Sequence, residues 1–174
     1  MKKLLLSTVC SVGLMFAQGF TLTSEDISGQ LSNEQVFNGF GCSGKNISPE
    51  LSWKEAPKGT KSFALTAYDP DAPTGSGWWH WVVFNIPKDK TTLEKGFGNS
   101  EQKGIVQSVT SFGSTGFGGA CPPVGDKAHR YIFTIHALDV EKLDLDKNAN
   151  PALVGFILNS HTIAKSSVMG YYGR

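Results

Sequence analysis

Clustered positive charge is missing from this chain. Its 174 residues carry 16 lysines and arginines against 15 acids, with no basic run. Nucleic-acid binding and polybasic docking to an anionic membrane both need concentrated cations, so composition argues against each. Membrane-spanning length is missing too. The apolar stretch 4–16 is too short to cross a bilayer, and no other stretch is long enough. Met1-Lys2-Lys3 ahead of that stretch and Ala17-Gln18-Gly19 after it give the pattern of a secretory signal peptide. Residues 1–19 are therefore expected to be removed, with cleavage after Gly19 (Ala17 is the second choice). One domain, 20–174, is left for the periplasm or secretion. Losing Lys2 and Lys3 takes the basic residues from 16 to 14 against 15 acids, a formal charge of −1.

Cysteine is scarce. Of three, Cys10 falls in the leader, and Cys42 and Cys121 remain. Both sit in glycine-rich loops, and an even count in an oxidising compartment predicts a Cys42–Cys121 disulfide. Neither has a second cysteine at ligand spacing, and no HExxH motif occurs, so neither a metal site nor a cofactor is expected. Ser111 and Ser114 lie in a glycine-rich loop without a nucleophile-elbow pattern. A hydrolase built on Asp69, His80 and His129 therefore lacks its nucleophile, and the chain reads as a non-enzyme.

Scattered glycines and loop prolines suit short strands joined by turns. Strands are predicted at 62–69, 79–86, 104–112 and 131–138, with weaker candidates at 35–40 and 51–53. Asn150 before Pro151 marks a helix start, and Leu153, Phe156, Ile157 and Ala164 recur at helical spacing. The sum is an all-β, two-sheet antiparallel sandwich with a short helix near the C-terminus.

Alternation along strands ties this fold to chemistry. Asp69 continues the row of Phe63, Leu65 and Ala67. His80 shares parity with Val82, Phe84 and Ile86, and His129 with Tyr131, Phe133 and Ile135. Each polar group caps an apolar row, which predicts a pocket with an apolar floor and a polar rim. Asp69-Pro70-Asp71-Ala72-Pro73 is stiff, because residues before proline prefer extended backbone. Asp69 would accept from an imidazole N–H, whereas Asp71 would meet a ligand ammonium or hold the loop. Arg130 faces away from His129 and Tyr131, as a structural ion-pair partner does. His136 and His161 read as structural, and Asn46-Ile47-Ser48-Pro49 as a turn.

The Asp69–Pro73 segment, the strand Trp78-Trp79-His80-Trp81, and Cys121-Pro122-Pro123-Val124-Gly125 with His129-Arg130-Tyr131 together resemble the phosphatidylethanolamine-binding protein family, also called Raf-kinase-inhibitor-like proteins. Phe37 to Cys42, Asn46 to Trp53 and Gly170 to Arg174 resemble its bacterial branch. The resemblance implies a β-sandwich and an anion pocket formed by Asp69, Asp71, His80, Pro122, Pro123, His129 and Tyr131, with Trp78 in its wall. It implies binding of a small anion or a phospholipid head group. The alternative is a protein partner that is inhibited, such as a kinase or protease; a second copy of the chain, in a homodimer, is a further candidate partner. The chain ends soon after Tyr172, which implies that it lacks the longer C-terminal helix of eukaryotic members.

Overall fold

A computed structural model describes residues 19–174, and the predicted signal peptide lies almost wholly outside the described residues. The strands in chain order are β1 (Thr21–Thr23), β2 (Asn38–Gly39), β3 (Cys42–Ser43), β4 (Leu51–Lys54), β5 (Ser62–Asp69), β6 (Trp78–Pro87), β7 (Thr92–Leu93), β8 (Val106–Gln107), β9 (His129–Leu138) and β10 (Thr162–Tyr172). One α-helix, α1 (Pro151–His161), precedes β10. A five-stranded antiparallel sheet has the order β10-β9-β5-β6-β8, and a smaller sheet has the order β1-β4-β7.

The large sheet is buried on both faces, because β5 and β6 are apolar in both parities. On one face Phe63, Leu65, Trp81 and Phe133 meet Leu22, Leu51, Trp53 and Leu93 of the smaller sheet. On the other, Ala64, Val82, Phe84 and Leu138 meet Val154 and Leu158 of α1. The all-β sandwich with one short helix is thus the observed fold. Asn150 caps α1 by accepting the Leu153 N–H at 2.9 Å, and Pro151 fills the first helical position.

Three boundaries differ from expectation. The stretch 104–112 pairs as a strand only at Val106–Gln107. Beyond it the chain stays beside β6 as a loop, with Ser108 and Ser111 N–H groups donating to the Val82 and Trp79 carbonyls. In 35–40 only Asn38–Gly39 is strand. It forms a hairpin with β3 across Phe40-Gly41, both at positive φ (53° and 80°), as a tight two-residue turn requires. Helical spacing had also drawn Ala164 into α1. The helix instead ends at His161, where Thr162 turns extended and its Oγ1 donates to the Leu158 carbonyl at 2.7 Å. Its buried stripe is Val154 and Leu158, while Leu153 and Phe156 are exposed. The next eleven residues form β10, which the sequence reading missed. Small inward residues (Ala164, Ser166, Gly170) gave its alternation too little hydrophobic contrast to register.

Two bulges in β6 shape the site. Ala67 pairs with Trp81 and Tyr68 with Trp79, so no β5 residue faces His80. Phe63 pairs with Ile86 and Leu65 with Val83, leaving Ala64 opposite both Phe84 and Asn85, the latter at φ 60°. Each extra residue reverses the alternation. Val82 and Phe84 therefore face α1, Ile86 faces the smaller sheet, and His80 is released from the row that parity assigned to it.

Cys42 and Cys121 are joined, with Cα atoms 6.0 Å apart and a sequence separation of 79. A ring of that size should stabilise the oxidised chain by roughly 2–4 kcal/mol. A Cys42→Ser, Cys121→Ser double variant should unfold at correspondingly lower urea. An unshifted midpoint would show that the loops need no covalent tie.

Candidate functional site

Asp69 ends β5 and is only 2% exposed. A buried carboxylate needs partners, and this one has three. Oδ1 accepts the N–H groups of Asp71 and Ala72 at 2.8 and 3.1 Å, which folds the proline-rich loop back on the strand. Oδ2 lies 2.7 Å from His129 Nδ1, so that nitrogen donates to the carboxylate and the ring is held edge-on. The outer nitrogen, His129 Nε2, lies 3.4 Å from Asp126 Oδ2.

His80, equally buried, is fixed differently. Its Nδ1 donates to the Gly118 carbonyl at 2.7 Å. The Gly118 N–H in turn donates to the His80 carbonyl at 2.9 Å, so this loop pairs with the bulge on both sides. Asn46 holds the loop in place: its amide accepts the Gly119 N–H and donates to the Phe117 carbonyl. Burial is the main reason that the His80 imidazole titrates far below the usual range, at about 4. At neutral pH the ring is uncharged, with its proton on Nδ1. Nε2 then offers a lone pair and bonds no protein group among the described residues. Tyr131 packs edge-to-face on His80, ring centroids 5.0 Å apart. Burial pushes its hydroxyl well above the ordinary phenol range, so it remains an O–H donor.

These groups line one recess of about 210 Å³. Asp69, Trp78, His80, Pro122, Pro123, His129 and Tyr131 all border it, so two distant stretches of sequence converge there. Asp71 does not. Both of its oxygens are taken by Arg130, with Nε at 2.9 Å and Nη2 at 2.6 Å, and this pairing holds Asp71 down at about 2. Asp71 and Arg130 thus form an ion pair outside the recess. The sequence reading missed Phe40 and Phe112, which stack at 5.8 Å and form the aromatic side of the recess with Trp78. Phe40 was detectable from its Gly41 turn. Phe112 closes the 104–112 stretch expected to be strand, which gave it no link to the recess. Ser111 is occupied elsewhere, its Oγ accepting the Trp79 N–H at 2.9 Å.

A sequence profile described as phosphatidylethanolamine-binding protein matches residues 27–173. The chain belongs to the phosphatidylethanolamine-binding protein family. It is similar to two proteins of Escherichia coli (strain K12). UPF0098 protein YbhB is 52% identical over 82% of this chain and 92% of its own length. UPF0098 protein YbcL is 49% identical over 99% of this chain and 98% of its own. The crystal structure of YbcL, described as a new member of the mammalian PEBP family, superposes with a TM-score of 0.86 at 50% identity, covering 89% of this chain and 98% of that one. A PEBP homolog from Chlamydia trachomatis superposes with a TM-score of 0.72 at 31% identity, covering 90% and 98% of the two chains.

The buried imidazoles set an acid limit on stability. His136, partly buried on β9, also titrates at about 4, chiefly through loss of solvent and secondarily through Lys165. Both rings titrate near 6.5 in an unfolded chain. Between these values the unfolded state binds protons that the folded state does not, so stability is full above about pH 6.5 and declines toward pH 4. Each ring accounts for at most about 3 kcal/mol. Urea midpoints measured from pH 7 to 4 should fall across this window, and less steeply in His136→Gln. A flat profile would contradict the neutral assignment of both rings.

Proposed function

We propose that this protein is a non-enzymatic binding module whose recess takes a small anion of the phosphate or phospholipid head-group kind. The observation that carries the reading is the convergence, on one aromatic-walled cavity, of two buried imidazoles and a tyrosine hydroxyl that has no hydrogen-bond partner among the described residues. Its 210 Å³ falls below the roughly 300–1,000 Å³ of pockets for drug-sized molecules, which suits a head group better than a whole lipid.

The protonation pattern refines the ligand. Tyr131 donates, whereas neutral His80 accepts through Nε2. A phosphate monoester that keeps one proton matches both: its P–OH donates to His80 and an unprotonated oxygen accepts from Tyr131. Such monoanions become abundant as pH falls through about 6. Phe40, Trp78 and Phe112 offer apolar contact to the rest of the molecule. The non-enzyme reading draws support from the hydroxyls: Ser111 is engaged with backbone, and Thr74 on the rim donates to the Gly77 carbonyl. The Cys42–Cys121 bond and the leader-like residues 1–19 together support a mature domain, 20–174, in the periplasm or outside the cell.

Calorimetric titration with phosphoethanolamine tests this reading. Affinity should rise several-fold from pH 7.5 to 5.5, and Tyr131→Phe should weaken it roughly five- to tenfold through loss of one hydrogen bond. Binding that is indifferent to pH and to both Tyr131→Phe and His80→Ala would remove the pocket from the mechanism. Phosphoester turnover that is lost in His80→Ala would overturn the non-enzyme assignment.

A further inference from the structure

His129 borders both the aromatic recess and a second, polar recess that Asp126 also lines. Its inner nitrogen is committed to Asp69, both of whose oxygens hold other groups in place. Any anion that uses this imidazole must therefore address Nε2. That nitrogen already faces the Asp126 carboxylate at 3.4 Å, across a contact whose imidazole side is 4% exposed and whose carboxylate side is 43% exposed.

We propose that Asp126 is a resident competitor of the ligand: its carboxylate stands where an anion must approach His129 Nε2, and it sets how weakly anions bind. The inference rests on the anion-binding reading of the recess. Three features support it. The chemistry is the same, since with the ring protonated on both nitrogens a carboxylate and a phosphate oxygen seek the same Nε2–H. The contact is long, and Asp126 is half in solvent, so it can yield. Finally, its segment is held by backbone and not by this contact. The Asp126 N–H donates to the Pro123 carbonyl at 3.3 Å, and the Gly125 N–H donates to the Arg174 carbonyl at 3.1 Å. Arg174 Nε also donates to the Pro122 carbonyl at 2.6 Å. Removing the carboxylate charge thus leaves the loop anchored. Repulsion between Asp126 and an incoming anion a few ångströms away is appreciable near a protein surface and is screened by salt.

The test is isothermal titration of inorganic phosphate and phosphoethanolamine at pH 6 into wild type, Asp126→Asn and Asp126→Ala, each checked by thermal melting for an unchanged fold. Both variants should bind about tenfold more tightly than wild type in dilute buffer, and the gap should shrink several-fold at high salt. Unchanged affinity, or weaker binding in both variants, would overturn the inference, because Asp126 would then be neutral or would help His129 hold the anion. A salt-independent gain would also overturn it, since release of repulsion must be screened. If wild type binds neither probe and the variants gain binding, the competitor role stands. If none of the three proteins binds, the anion-pocket reading falls with it.

Discussion

Everything at the pocket end of this fold is organised by the Asp69 carboxylate. A charge taken out of water must be met by donors, and here the donors come from two directions: the backbone of the following loop and an imidazole sixty residues away in sequence. Satisfying that single group folds the proline segment over the end of β5, orients His129 and fixes which of its nitrogens is left outward. Asp71, two residues on, performs a parallel task on the outside by clasping Arg130. One short acidic segment therefore pins β9 from both of its faces.

The second constraint is the bulge at His80. A regular β6 would carry this imidazole to the α1 side with Val82 and Phe84. The extra residue places it beside Tyr131 instead, and the Gly118 loop completes the hydrogen bonding that the bulge leaves open. Site and sheet are thus one object. The ladder is interrupted where the ring must turn, and the interruption is sealed by a loop that also bounds the cavity.

Much of this was legible in the residue pattern, and the failures have physical causes. β5 and β9 announce themselves because long apolar rows end in a single acid or imidazole. Seven of the eight residues expected at the site do border the recess. Parity placed His80 beside the recess by a faulty route, because alternation cannot reveal a bulge whose cause is tertiary. Asp71 was misplaced among the lining residues because its partner, Arg130, is distant in sequence. The loop at 108–112 looked like strand because it truly runs beside β6, hydrogen-bonding to it without a regular ladder. β10 was lost because inward serine, alanine and glycine carry little hydrophobic signal. The disulfide, by contrast, needed only two cysteines and flexible surroundings to be foreseen.

The Cys42–Cys121 bond turns the middle of the molecule into a covalent circle that contains β4 through β8. The exposed segment 73–76 belongs to this circle. A protease cutting there would open the loop over the cavity yet release no fragment, since both new ends stay threaded through the same bridge. Damage at the most accessible edge of the recess would therefore leave the oxidised mass changed by no more than one added water.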